Sequence, residues 1–191
     1  MLRFTAFVSF PAMFGLSLTA PELITLAITD KWLPSAQMMQ ILCIGGAFLP
    51  ISNLFSQLLL SRGHSSTYMW CTIALSLLQL VTAYFAYPYG IQTMLYAFII
   101  INIGWTMVWL HFVHREIGLT YLSFLKDICP YLLLSGVLVI SAHYVTPGIE
   151  PIGIRLTAKI VGVGGLYILI LWLMKSVILQ ESIAFFLNKK R

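Results

Sequence analysis

The side chains able to do chemistry are few and widely spaced. Six carboxylates, Glu22, Asp30, Glu116, Asp127, Glu150 and Glu181, are scattered among long uncharged runs. A hydrolase or transferase needs paired carboxylates, a nucleophile beside a base, or metal ligands within reach of one another, and no carboxylate pairs with a histidine at helical spacing. His111 and His114 share a helical face, but two histidines near a membrane surface are more often solvated than metal-bound. Cys43, Cys71 and Cys129 are odd in number and far apart, matching neither a metal site nor a disulfide framework. No catalytic residue, cofactor-binding residue or metal ligand is expected, and the chain reads as a non-enzyme without a cofactor.

The uncharged polar residues offer a different chemistry. Asn53 and Gln57 lie one helical turn apart. Thr72, Ser76 and Gln79 stripe one face of a later run, and Asn102 and Thr106 stripe one face of the next. In lipid such residues commonly serve as helix–helix hydrogen bonds. The alternative is a polar cavity that a sugar-bearing headgroup could cross, with Asn53, Gln57, Thr72, Ser76, Gln79 and Asn102 as the candidate lining. No Asp, Glu, Lys or Arg is expected at the middle of a span, where an ionisable group marks function. Glu22 is the candidate coupling carboxylate; the competing reading places it at an interface, beside Lys31 or the lipid headgroups.

The elements that position these groups follow from composition. The chain is 191 residues long, 60% apolar and 9% charged, with a mean hydropathy of +0.93. Soluble domains carry roughly 45–50% apolar and about 25% charged residues, so the solvent here is lipid. A spanning helix needs about 20 mostly apolar residues. The pattern predicts six spans, at about 4–28, 36–61, 68–87, 92–113, 129–145 and 158–174, forming a 1–175 transmembrane domain. A cytoplasmic, amphipathic, basic tail follows at 176–191. The class is all-α, a polytopic membrane helical bundle. The first span is too long for a signal-peptide core and has no Ala-x-Ala cleavage site.

Several local features refine this picture. Pro11 and Pro21 fall inside the first span and are tolerated in lipid where neighbouring helices satisfy the freed carbonyls. Gly45-Gly46 followed by Pro50 predicts a kink in the second span. Tyr87-Pro88-Tyr89-Gly90 divides the third span from the fourth. Residues 115–127 are amphipathic, with Ile117, Tyr121, Leu122, Phe124 and Leu125 among polar neighbours, as in a segment lying in the interface. Gly162, Gly164 and Gly165 predict close helix contact in the sixth span. The net charge of +5 forms no patch for nucleic acid. The basic residues sit at span ends: Arg3, Arg62, Arg115, Lys126, Lys175, Lys189, Lys190 and Arg191 on one side, Lys31, Arg155 and Lys159 on the other. By the positive-inside rule both termini are cytoplasmic.

The opening hairpin resembles the carboxy-terminal half of bacterial polysaccharide flippases, the O-antigen and capsule repeat-unit exporters of the multidrug/oligosaccharidyl-lipid/polysaccharide superfamily. The residues concerned are Phe10-Pro11, Gly15-Leu16, Ala20-Pro21-Glu22-Leu23-Ile24, Asp30-Lys31-Trp32-Leu33-Pro34-Ser35-Ala36 and Met39 to Gly46. Leu59-Leu60-Ser61-Arg62-Gly63-His64 and Phe124 to Tyr131 continue the similarity. The resemblance covers about a third of the chain. It implies one lobe of a MATE-like transporter in the bacterial cytoplasmic (inner) membrane. The implied function is flipping of an isoprenoid-diphosphate-linked oligosaccharide for lipopolysaccharide or capsule synthesis. Such transporters carry about twice this many spans, so Met1 is expected to be an internal or truncated start. The partners implied are the lipid-linked oligosaccharide, membrane lipids, and a missing N-terminal transporter half or a second copy. Alternatives are a drug or lipid-precursor exporter of the same superfamily, and a non-transporting scaffold of a polysaccharide assembly complex.

Overall fold

The computed structural model describes residues 1–145 and 152–173. Residues 146–151, between the fifth and sixth spans, and the tail at 176–191 lie outside the described residues. Among those described there are seven α-helices and no strand: α1 (Leu2–Ala27), α2 (Leu33–Gly46), α3 (Leu49–Ser61), α4 (Ser65–Ala86), α5 (Ile91–Ile117), α6 (Tyr121–Val145) and α7 (Ile152–Leu173). The helices α2 and α3 are two halves of one span, so six segments are long and apolar enough to cross a membrane. The six-span, all-helical reading of the sequence therefore holds.

The helix α1 is the hub, packing against α2, α3, α6 and α7. Beside it, α5 packs against α2, α3 and α4. Side chains from both groups meet in one core, where Phe10, Ile51, Phe55, Leu59, Leu110 and Val113 are almost wholly buried. Between helices in lipid the attraction is van der Waals packing rather than exclusion of water. Edge-on ring contacts such as Phe10–Phe48, with centroids 5.3 Å apart, supply that packing. The helix α4 packs on α3 and α5 and turns Leu77, Leu80, Val81 and Phe85 outward, as a helix bathed in lipid does.

The expected kink in the second span is a break at Ala47–Phe48. Pro50, the second residue of α3, has no N–H to offer the Gly46 carbonyl. Both break residues keep right-handed helical angles, and the Phe48 N–H reaches back to the Gly45 carbonyl at 3.1 Å. The chain bends without unravelling.

Three features differ from the sequence reading. Residues 115–127 do not lie in the interface as one segment. The helix α5 runs on to Ile117 and stops at Gly118, which adopts φ +68° as a left-handed cap. The helix α6 then starts at Tyr121, where the amphipathic pattern docks it: Phe124 and Ile128 enter the core, and the Phe124 ring lies tilted against Phe55 with centroids 5.7 Å apart. The last helix begins at Ile152, well before the expected 158, so Arg155 and Lys159 lie inside it. Finally, Gly162, Gly164 and Gly165 make no close contact, since a methyl group on each would meet open space.

Candidate functional site

Two prolines in α1 each leave a backbone carbonyl four residues back without its helical donor. Pro11 frees the Phe7 carbonyl, and Tyr167 of α7 donates its hydroxyl to it at 3.0 Å. Pro21 frees the Ser17 carbonyl, and Gln40 of α2 donates its amide to it at 3.2 Å. Ser17 returns the bond by donating to the Gln40 carbonyl at 3.3 Å. At the α2–α3 break, Ser9 donates to the Ala47 carbonyl at 2.7 Å in a buried contact. Both prolines of α1 are thus answered by a side chain from a neighbouring helix, and Ser9 ties α1 to the α2–α3 break.

One turn beyond Ser17 lies a buried charge cluster. Glu22 on α1 is 4% exposed and Lys159 on α7 is 7% exposed, and they form an ion pair at 2.5 Å. Lys159 also donates to the Leu18 carbonyl at 3.3 Å. Arg155, one turn earlier on α7, brings its Nε to 3.1 Å from the same Glu22 oxygen. That approach is not aligned for a hydrogen bond, and Glu22 Oε2 is buried without a bonding partner. Two cations therefore face one carboxylate. The sequence reading set Glu22 beside Lys31 or the headgroups; its partners are Lys159 and Arg155, brought to it across 137 residues by the packing of α7 on α1.

The candidate cavity residues are only partly gathered. Thr106 donates to the Asn102 carbonyl at 3.1 Å. Its one hydroxyl hydrogen is thereby used, so Ser52 is the donor in the 2.6 Å contact between the two hydroxyls. Asn102 in turn accepts from Gln79 at 3.5 Å, the long limit of such a bond. A polar strip thus crosses from α3 through α5 to α4. Thr72 bonds its own helix at the Tyr68 carbonyl. Ser76 and Gln79 line a groove of about 480 Å³ with Leu42, Met94 and Phe98. Asn53 and Gln57 stand apart on the exposed side of α3.

The histidines at the opposite end of the bundle do not converge on a common ligand. His111 meets the Tyr121 hydroxyl at 3.1 Å, His114 the Leu119 carbonyl at 2.9 Å, and His64 the Glu116 carboxylate at 3.0 Å. There too Arg3 pairs with Asp127 at 2.6 Å, fastening the start of α1 to α6.

Comparison with known proteins bears on the hub helix. Residues 1–37 match a protein family described as "Polysaccharide biosynthesis protein". The chain is also 32% identical over 62 residues to a Klebsiella pneumoniae protein described as "Uncharacterized membrane protein in cps region". That stretch is 32% of this chain and 13% of the relative, so the chain spans a small part of the relative's length. No solved structure matches. These findings support a membrane protein of polysaccharide biosynthesis.

The family match takes in all of α1, the turn at Asp30–Trp32 and the start of α2. It therefore includes both prolines, Ser17 and Glu22, while Gln40, Lys159 and Tyr167, which complete their contacts, fall beyond it. The proline contacts were half-visible in sequence, since an in-span proline calls for a donor but does not say which helix supplies it. The sequence does not show the Glu22–Lys159 pair, because its hydropathy sets Lys159 at a span edge. Opposite charges near the same end of two spans were the available signal.

Proposed function

We propose that this chain is one lobe of an exporter that moves lipid-linked oligosaccharide repeat units across the bacterial cytoplasmic membrane for surface polysaccharide synthesis. The observation that carries the reading is the outward side of α3. Asn53 sits eight residues from the end of that helix, about 12 Å into the span. It is exposed together with Gln57, and neither amide has a hydrogen-bond partner among the described residues. An amide turned to hydrocarbon without a partner costs several kcal/mol, on the order of 2–7. Such a face is stable against water or against a second polar lobe, and an aqueous route between two lobes supplies both. A sugar headgroup, rich in hydroxyls, would exchange its water for these amides while its lipid tail stayed in the bilayer.

The resemblance to flippases and the polysaccharide biosynthesis match on α1 both support a role in surface polysaccharide synthesis. The lobe would work by rocking against a second lobe, the mode of alternating access in which rigid bundles move about a central site. The bridged prolines of α1 suit that role, because a helix whose irregular points are held by α2 and α7 moves with them as one body.

The test replaces Asn53 and Gln57 by Leu together in the native host. Surface polysaccharide is expected to fall severalfold while the membrane level of the protein is unchanged. Unchanged polysaccharide would take α3 out of the pathway. If the Leu pair were tolerated but substitutions on the apolar outer face of α4 abolished polysaccharide, a scaffold for assembly partners would be the better reading.

A further inference from the structure

Between α1 and α7 the surface is cut by a groove of about 390 Å³. Pro11, Gly15 and Thr19 form its α1 wall; Ile160, Val163 and Gly164 form its α7 wall, with Lys159 at one end. Glycines between spanning helices usually let the helices touch. Here neither Gly15 nor Gly164 has a neighbour within 4 Å of where a methyl group would stand, so the small residues open a slot instead. From Pro11 to Leu23 the slot follows α1 for about 18 Å at 1.5 Å per residue. Half of a hydrocarbon core of about 30 Å is close to that, so the slot has the depth of one leaflet.

The charged end of the slot decides what fills it. Lys159 spends two of its three donors, on Glu22 and on the Leu18 carbonyl. Arg155 stands one turn nearer the end of the bundle, about a third exposed, and its Nε is not bonded by Glu22. Side chains on a helix lean toward its N-terminus, so both cations of α7 lean toward the membrane surface at which α7 begins. One carboxylate against two cations leaves one positive charge at the end of the slot nearest the start of α7. An apolar slot one leaflet deep, ending in a net positive charge, is complementary to a lipid with an acyl chain and an anionic headgroup.

We propose that the α1–α7 groove is a binding site for an anionic phospholipid, its acyl chain lying along Gly15 and Gly164 and its phosphate at Arg155 and Lys159. The site is separate from the α3 face invoked for transport, and it does not depend on the identity of the transported molecule. Bound there, the lipid would cover the seam that the Glu22–Lys159 pair closes from inside.

The experiment uses the full chain purified from nanodiscs containing equal parts phosphatidylglycerol, phosphatidylcholine and an isoprenoid diphosphate, with retained lipid counted by native mass spectrometry. The wild type is expected to retain phosphatidylglycerol over phosphatidylcholine. Arg155→Gln is expected to lower that retention about fivefold, the equivalent of roughly 1 kcal/mol for one basic residue at a membrane surface. Gly15→Leu and Gly164→Leu place a side chain in the open slot. Each is expected to abolish phosphatidylglycerol retention with the gel-filtration profile unchanged. Equal retention of phosphatidylglycerol and phosphatidylcholine by the wild type would overturn the proposal, as would wild-type retention by either leucine variant. Preferential retention of the isoprenoid diphosphate would overturn the phospholipid assignment and make the groove part of the transport route.

Discussion

At the scale of single residues, the hydroxyl of Tyr167 shows how a proline can be kept inside a spanning helix. Removing that hydroxyl leaves the Phe7 carbonyl with neither its helical donor, which Pro11 lacks, nor a substitute. Interhelical bonds of this kind in membranes average about 0.6 kcal/mol, with values to about 1.7. Tyr167→Phe is therefore expected to destabilise the bundle by about 1 kcal/mol. In a Pro11→Ala background the residue-11 N–H is restored and the carbonyl has a donor again, so the same change should cost much less. Reversible unfolding in mixed micelles measures both, and equal costs in the two backgrounds would show that the hydroxyl does not act through the proline. The proline was plain in the sequence, and so was the demand it makes. The donor was not, because Tyr167 lies 160 residues away and nothing in its neighbourhood ties it to α1.

At the scale of elements, the break between α2 and α3 sets how closely α2 approaches its neighbours. A methyl group added to Gly45 would stand 2.6 Å from Ile99 Cγ1 and 3.2 Å from its Cβ, against a β-branched side chain fixed to α5. One added to Gly46 would meet Met13 at 2.5 Å, but only the terminal methyl of a long flexible side chain. The two adjacent glycines look alike in sequence and do different things. Gly45→Ala is expected to cost about 1–3 kcal/mol through overpacking. Gly46→Ala should cost less than half as much, because Met13 can turn aside. Ile99→Ala should rescue Gly45→Ala and not Gly46→Ala, as thermal stability of the purified variants would show; rescue of neither would mean that the α2–α5 approach is not what Gly45 secures. The kink itself was legible, since Pro50 after two glycines leaves the helix little choice. The end of α5 and the start of α6 were not. Residues 115–127 carry the amphipathic pattern of an interfacial segment, and only the docking of Phe124 and Ile128 into the core shows that the pattern belongs to the beginning of a span.

For the molecule as a whole, the Glu22–Lys159 pair joins the first helix to the last described one, and its energetics set it apart from the other ionic contacts. Arg3–Asp127 has one partner largely in solvent and contributes little, as exposed pairs do. Glu22 and Lys159 are both more than nine-tenths buried, so each has lost its water and depends on the other. Removing one partner of a buried pair typically costs about 3–5 kcal/mol, whereas replacing both with apolar groups is often neutral. Arg155 breaks the symmetry between the two single changes. Lys159→Met leaves Glu22 with a cation still 3.1 Å away. Glu22→Leu leaves Lys159 with a backbone carbonyl alone, because its other contact was the carboxylate. Glu22→Leu is therefore expected to be the more damaging single change, with Glu22→Leu/Lys159→Met recovering most of the loss. Folded yield and thermal stability in detergent read this directly. If the double variant were as unstable as the worse single, α7 would be held to α1 by something other than the pair. A double variant that folds but no longer supports surface polysaccharide would separate the two roles open to Glu22. Stability would then be satisfied by packing, and the charge itself would be required for movement, the part expected of a coupling carboxylate.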